Sequence, residues 1–320
     1  MELLITGGYP RDNHARCKEG FRYAEAFVSV LDWEKEEFVR ELRYKSPLEY
    51  SSESLTQQFK TGTVIGDELI VPSNIEILFI DIDTFKINRV ITKPSFTDLH
   101  HVTVHDDNLY VANTGVESVQ ILDFEGDILN EYPQVEDATW KQFGESPDLR
   151  LVASTKPHFV HLNFVFFLDG EPWITRFQKR DAVSLFDHGK RIDLAISEGR
   201  PHDGHIVGDF IYFTLTDGHI VVVNKNTLKR EDVIDLNEIC NNKLQLGWCR
   251  GIEIVGDQAY VGFSRLRRSK IVEYGAWIIQ GKQKQPARIA QYDMTKKELV
   301  KEVELGDKGG AIFTVRHIND

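Results

Sequence analysis

The sequence predicts an all-β fold, a six-bladed β-propeller whose blades are four-stranded antiparallel sheets, and three observations lead to it. A strand pattern that ends in Asp or Asn recurs six times, tight polar turns stand before most copies, and one apolar stretch remains after the sixth unit. No segment carries a convincing apolar period of 3.6 residues over the length of a helix. We therefore expect residues 1–320 to form a single propeller domain.

The recurring pattern is a run of alternating apolar residues that closes on Asp or Asn before a polar turn. The copies are Val28–Asp32, Ile77–Asp81, Val119–Asp123, Val183–Asp187, Ile220–Asn224 and Ile289–Asp293. They start 37 to 69 residues apart, which fits blades of roughly 40–50 residues with two longer insertions. The alternatives are a seventh blade hidden in the insertion at 132–156, and an open β-sandwich in which the repeats are coincidental.

Each unit is interpreted as four strands, because a tight hairpin turn precedes the Asp-terminated strand. Gly-Asp and Asp-Asn pairs in these turns tolerate the positive φ that a two-residue hairpin needs. In the third unit the predicted strands are His101–His105, Leu109–Asn113, Ser118–Leu122 and Ile128–Tyr132. The segment Trp33–Leu42 follows the first Asp-terminated strand and is predicted to be the outer strand of the first blade.

The two ends of the sequence complement each other. The first unit begins at its second strand, Leu3–Thr6, and the chain finishes with a spare strand, Gly310–Arg316. If the last strand joins the first blade as its innermost strand, the ring closes and no sheet edge is left open at the junction. We therefore predict closure by the C-terminal strand.

Charge and composition narrow the function. The chain has 38 Lys and Arg against 50 Asp and Glu, a formal net charge of −12, which repels nucleic acid and anionic membranes. No apolar run approaches the roughly 18 residues of a membrane span, and the N-terminus lacks the pattern of a secretory signal. Three cysteines without CxxC spacing fit a reducing compartment. We expect a cytoplasmic protein with a small-molecule ligand, and neither nucleic acid nor a membrane as partner.

Six of the eleven histidines lie at the start of three consecutive innermost strands. The candidate metal ligands are His100, His101, His158, His161, His202 and His205. Innermost strands begin around one mouth of the central channel, so three blades can direct imidazoles at one point, and imidazole suits divalent Zn, Fe, Mn or Ni. Residues three apart in a strand point to opposite faces, so at most one histidine of each pair should face the axis unless the strand start is irregular. The structural alternative is that these polar residues satisfy the backbone of the neighbouring blade.

Further polar residues are predicted at the same mouth. Glu253 and His205 are candidates for acid–base catalysis, Glu253 also as a fourth metal ligand, and Arg250 is a candidate to anchor an anionic substrate. The predicted substrate-binding residues are Arg250, Trp248, Asn113, Arg265, Lys156 and Arg200. Arg267 and Arg268 are interpreted as solvated loop charges.

The strings Asp107–Gly115 and Gly208–Asp217 resemble blade motifs of the NHL-repeat and gluconolactonase-like propeller superfamily. As a pattern of blades the resemblance spans most of the chain. It implies a six-bladed propeller, and members of the superfamily include metal-dependent hydrolases and lyases beside pure binding modules. The gluconolactonase-like metal set combines an acidic residue with Asn and Asp, and Asn113 is the position that matches it here.

The sequence leaves three functions open. The first is a metal-dependent hydrolase or lyase that acts on a small anionic or polar metabolite at the channel mouth. The second is a non-catalytic binding propeller for a protein or carbohydrate partner. The third is metal-free acid–base lyase chemistry by the same histidines, which predicts an activity that resists chelators.

Overall fold

The computed structural model describes residues 1–11, 18, 20–145, 147–240, 244–265, 283–306 and 309–318. Six four-stranded antiparallel sheets form a ring, so the predicted six-bladed β-propeller is confirmed. The helices are short: α1 (Leu236–Ile239) and the 3-10 helices Thr114–Val116, Thr139–Phe143 and Leu149–Leu151. In the described ranges, no helix has the length and apolar character needed to cross a membrane.

Blades 1 to 3 contain the first eleven strands. They are β1 (Glu2–Pro10), β2 (Tyr23–Asp32) and β3 (Glu37–Tyr44) in blade 1; β4 (Thr63–Ile65), β5 (Glu68–Pro72), β6 (Ile77–Asp81) and β7 (Ile87–Ile91) in blade 2; and β8 (Leu99–His105), β9 (Asn108–Asn113), β10 (Ser118–Leu122) and β11 (Ile128–Pro133) in blade 3. The predicted strands of blade 3 agree to within two residues. The outer strand of blade 1 begins later than predicted, because residues 33–36 form the turn after β2.

Blades 4 to 6 contain most of the remaining strands. They are β12 (Leu162–Leu168), β13 (Glu171–Arg176), β14 (Asp181–Ser184) and β15 (Arg191–Asp193); β16 (Pro201–Val207), β17 (Phe210–Leu215), β18 (His219–Asn224) and β19 (Arg230–Asp235); and β21 (Trp248–Val255), β22 (Gln258–Ser264), β24 (Arg288–Asp293) and β25 (Glu298–Glu304). The short strands β20 (Leu244–Gln245) and β23 (Gln283–Lys284) pair in parallel outside the blades. Over its described residues the insertion at 132–156 contains two 3-10 turns and no seventh blade.

The core is divided into layers between adjacent blades. Each of six buried apolar clusters draws its residues from two neighbouring blades, and the last of them joins blade 6 to blade 1. In the layer between blades 3 and 4, for example, Val119 of β10 packs with Val165 of β12. Alternating side chains of twisted sheets pack face to face in this way only if the sheets are arranged around an axis.

The ring closes through the C-terminal strand, as predicted. β26 (Ala311–Ile318) pairs antiparallel with β1 and makes blade 1 four-stranded in the order β26, β1, β2, β3. The approach is close at Gly7, where a Cβ would lie 2.0 Å from the carbonyl oxygen of Ala311. Glycine at this position is therefore a requirement of the closure.

Candidate functional site

A cavity of about 470 Å³ opens at the mouth of the channel where the innermost strands of blades 3, 5 and 6 begin. Its wall includes most of the polar residues that precede these strands, together with the loop before β12 and parts of the first blade. The predicted residues that line it are His100, His158, His161, His202, Lys156, Arg200, Trp248 and Arg250. The predicted location of a site at one mouth of the channel therefore corresponds to a real pocket.

The strands that carry these residues are irregular where they reach the mouth. Register shifts interrupt the innermost pairing of five blades, for example between Pro201 and Gly204 in β16 and between Leu99 and His101 in β8. A bulge breaks the strict alternation of side chains between the two faces of a strand. Neighbouring polar residues can therefore face the same pocket.

Asp98, His158 and His161 offer three metal-ligand atoms within 4.8 Å of one another. The two histidines precede β12, which starts only at Leu162, so the alternation of a strand does not apply to them. Both point into the pocket, and their Nδ1 atoms are 2.7 Å apart. The expectation of one inward histidine per pair was made for a regular strand start, and this start is irregular, so both histidines line the pocket.

Glu117 holds the loop that carries these two histidines. Its side chain is 1% exposed, and Oε1 accepts hydrogen bonds from the backbone N–H groups of Val160 (2.5 Å) and His161 (3.1 Å). A buried carboxylate that accepts two backbone donors fixes the loop backbone. The position of the imidazole of His161 thus depends on a residue of the preceding blade.

Lys60 and His100 surround the carboxyl group of Asp98. Lys60 Nζ lies 2.6 Å from Asp98 Oδ1 and 3.4 Å from both ring nitrogens of His100. Burial lowers the pKa of Lys60 to about 8 against the opposing effect of Asp98. Burial alone would raise the pKa of Asp98, but the charge of Lys60 outweighs it and holds that pKa well below its ordinary range. Asp98 is therefore ionised.

The imidazoles of His100 and His161 are neutral. Burial, followed by the charge of Lys60, holds the pKa of His100 well below its usual value. Burial likewise lowers the pKa of His161, with His100 and Lys156 acting in the same direction. Neutral rings keep a lone pair for a metal or a proton.

A second buried pair lies on the pocket wall. His202 Nδ1 is 2.7 Å from Oδ2 of Asp203, and this carboxylate also accepts hydrogen bonds from Thr61 Oγ1 (2.5 Å) and the backbone N–H of Gly251 (3.0 Å). Burial alone would raise the pKa of Asp203, but its donors, led by His202, keep that pKa well below the ordinary range. The pair is therefore a neutral imidazole on an ionised carboxylate, since burial lowers the pKa of His202.

The pocket concentrates positive charge in an acidic protein. The six cationic side chains on its wall are those of Arg22, Lys60, Arg150, Lys156, Arg200 and Arg250, and Asp98 is the carboxylate among its described lining residues. Arg250 stacks on the ring of Phe313 at 4.4 Å, and Arg200 donates to Gln178 Oε1 at 2.9 Å. A cationic cleft with low-dielectric walls attracts small anions even when the net charge of the protein is −12.

Two of the predicted catalytic residues lie elsewhere. His205 and Glu253 are three residues beyond the mouth positions His202 and Arg250, in regular parts of β16 and β21, and are not among the residues that line the pocket. His205 Nδ1 is 3.1 Å from Glu253 Oε2, which also lies 3.4 Å from Arg316. The expectation that these residues share a mouth with the other histidines is not met, because each strand carries them further along the axis.

His101, Asn113 and Arg265 also lie outside the pocket. His101 is a packing residue between blades 3 and 4: its ring lies against Phe164, its Nδ1 accepts from the N–H of Val165, and burial lowers its pKa to about 3. The side chain of Asn113 donates to the carbonyl of Ser95 and to Gln120. Exposed Arg265 pairs through its backbone with Gly310. Arg267 and Arg268 are outside the described residues.

Several residues of the site were missed by the sequence reasoning. Asp98, Arg22 and Arg150 line the pocket, and Asp203 and Glu117 support residues that line it. Asp98 stands two residues before His100 and Asp203 directly after His202, so an acidic residue beside a predicted mouth histidine was the available signal. Glu117, Arg22 and Arg150 lie in connections between strands, far away in sequence, and nothing local marks them.

Comparison with known proteins supports the fold. No model of a known protein family matches the chain, and no curated protein sequence does. Among solved structures, a protein of unknown function from Bacteroides caccae matches over 98% of this chain and 97% of its own, with a TM-score of 0.63 and 13% sequence identity. At that identity the likeness shows the propeller fold alone.

Proposed function

We propose that the chain is a metal-dependent enzyme of the hydrolase or lyase type that acts on a small anionic metabolite in the mouth pocket. The observation that carries this proposal is the group Asp98, His158 and His161 on the wall of a cavity that six cationic side chains also line. A metal site and an anion site in one cavity bring a Lewis acid and a charged substrate together.

The residues present fit a divalent metal. Two imidazoles and a carboxylate bind Zn, Mn, Fe or Ni and leave positions for water and substrate. The Nδ1 atoms of His158 and His161 are 2.7 Å apart. Both would hold the metal once the proton shared between them moves to a ring Nε2, and Asp98, whose ligand atom lies within 4.8 Å of theirs, would complete the set. The neutral ring of His161 needs to lose no proton to bind.

The proposal assigns roles to the metal-binding carboxylate and to two arginines of the pocket. A bound metal would act as a Lewis acid or lower the pKa of a water molecule. Asp98, held by Lys60, offers an ionised oxygen in a fixed position. Arg250, supported by the ring of Phe313, and Arg200, supported by Gln178, present guanidinium groups that grip a carboxylate or phosphate.

Enclosure supports an enzyme over a binding propeller. A protein or carbohydrate partner is expected to use a broad exposed face, whereas the imidazoles of His100, His158, His161 and His202 are at least nine-tenths buried. The blade motifs support a place beside the NHL-repeat and gluconolactonase-like propellers, with a histidine-based metal set in place of that family's acidic residue, Asn and Asp. The acidic net charge supports a small-molecule ligand over nucleic acid.

Metal content tests the proposal. Tag-free protein purified without chelators should contain about one divalent ion per chain, measured by inductively coupled plasma mass spectrometry. The double variant His158→Ala and His161→Ala should lose that ion, whereas the exposed His188→Ala should keep it.

Thermal unfolding gives a second measurement of the same site. A metal at 100 times its dissociation constant stabilises the folded chain by about 2.7 kcal/mol, which corresponds to about 4 °C in the midpoint for a chain of this length. The metal site would be refuted if the wild type, the double variant and His188→Ala all contained only trace metal and if Zn, Mn, Fe and Ni did not raise the unfolding midpoint of the wild type.

A further inference from the structure

His202 is built into the pocket differently from the other histidines. Its ring lies beside those of Phe313 and His100, with ring centroids 5.8 and 5.9 Å away, and its Nδ1 contacts a carboxylate rather than another imidazole. Asp203 is its neighbour in the sequence, and the two side chains converge because the register of β16 shifts between Pro201 and Gly204. Both side chains are 2% exposed.

Hydrogen bonds to both its side chain and its backbone fix the position of Asp203. Thr61 and the N–H of Gly251 donate to its carboxylate, and its own backbone exchanges hydrogen bonds with Thr214 Oγ1. An ionised carboxylate only accepts, so the Nδ1 of His202 carries the proton between them. The Nε2 of His202 is then the nitrogen with a lone pair to offer to the pocket.

We infer that His202 is the proton-transferring residue of the site, that Asp203 is its positioning residue, and that neither holds the metal. This inference rests on the proposed function. A substrate O–H or C–H bond, or a bond of the attacking water, breaks as its proton moves to Nε2. The imidazolium that forms is balanced by Asp203, and the proton leaves Nε2 for the departing group.

The surroundings separate His202 from the metal group. A histidine on a carboxylate can be a metal ligand or a base. The three ligand atoms within 4.8 Å of one another come from Asp98, His158 and His161, and no atom of His202 joins them. The Nδ1 of His202 is engaged by Asp203 at 2.7 Å, whereas the Nδ1 atoms of His158 and His161 face each other.

Acylation of histidines by diethyl pyrocarbonate tests the inference. The reagent acylates unprotonated ring nitrogens and releases ethanol and carbon dioxide, and peptide mass spectrometry gives the rate at each histidine. We expect Zn to protect His158 and His161 and to leave the rate at His202 unchanged. Protection of His202 as strong as that of His161 would make it a ligand and overturn the inference. If Zn protects none of them, the proposed metal site fails, and the variants below decide the role of His202.

Asp203→Asn should slow acylation of His202 at least about threefold, because loss of the carboxylate charge makes Nε2 less basic. The control Thr61→Val removes a donor to Asp203 and leaves the charge, so the rate should stay within about twofold. Exposed His188 lies outside the pocket and serves as the reference histidine. An unchanged rate in Asp203→Asn would remove the positioning role.

A measurement on the wild-type protein keeps the inference testable if Asp203→Asn does not fold. Nitrogen-15 NMR of the ring nitrogens should show His202 as the Nδ1–H tautomer, assigned through the signal missing from His202→Gln. The Nε2–H tautomer would overturn the inference, since the lone pair would then face Asp203.

Discussion

Closure of the ring makes Ile312 a sensitive test of the architecture. Ile312 of β26 is fully buried in the layer that joins blades 1 and 6, together with Leu3, Ile5 and Ile289. Ile312→Ala removes three buried carbon groups at about 0.8 kcal/mol each and leaves a cavity, so we expect a loss of about 3.5 kcal/mol in the free energy of unfolding. For 320 residues this corresponds to about 5 °C in the unfolding midpoint.

Urea denaturation followed by tryptophan fluorescence measures this loss, and two variants calibrate it. Ile289→Ala is the same change in the same layer but within blade 6, and it should cost a similar amount. Val300→Ala on the outer strand β25, where the side chain is 50% exposed, should cost less than about 0.5 kcal/mol. If Ile312→Ala behaves like Val300→Ala while Ile289→Ala is strongly destabilising, β26 does not close the ring in solution.

Two further predictions concern charge. Malonate should raise the unfolding midpoint of metal-free protein more than uncharged malonamide does. Arg250→Met should remove at least about half of that difference, whereas Arg230→Met, at an exposed position on β19, should leave it unchanged. An equal response of both variants would refute the anion site. At His219, burial lowers the pKa, but hydrogen bonds to Asp217 and Asp235 outweigh it and raise the pKa to about 10. The stabilisation from protonated His219 is fully present below the unfolded pKa near 6.5 and is lost as the pH rises toward 10. In urea titrations, His219→Gln should therefore lower the free energy of unfolding by about 2 kcal/mol at pH 6 and by progressively less at pH 8 and 9. A loss that does not change with pH would contradict the protonated pair.

Most of the fold could be predicted because each blade repeats one local rule. The Asp-terminated run Val119–Asp123 corresponds to β10, and the tight turn after Val207 corresponds to the hairpin between β16 and β17, where Gly208 has φ +56°. Such signals are local, since the period of a strand and the φ of a turn depend on a few neighbouring residues. Closure was also predictable, because an unpaired first blade and a spare last strand each explain the other.

The sequence predicted where the site lies, but it did not predict all of the residues that form it. His158 and His161 were expected on opposite faces only if their strand start was regular, and the sequence did not show that both precede β12 and line one pocket. His205 and Glu253 were predicted at the mouth because they follow His202 and Arg250 closely in sequence. Three residues along a strand nevertheless move a side chain by about 10 Å. Glu117 reaches the site from blade 3 through the backbone of another blade, a contact that depends on how blades pack.

The broken strand starts connect the fold to the chemistry. A regular antiparallel pair sends adjacent residues such as His202 and Asp203 to opposite faces, where they could not share a proton. The shift between Pro201 and Gly204 removes that constraint at the mouth, while the pairing from Gly204 onward stays in register and keeps the blade intact. The same division occurs in β8 at His101 and in β21 at Ile252. The regular strands therefore build the ring, and the polar residues that line the pocket lie where the repeat is interrupted. A search for the repeat alone does not find them.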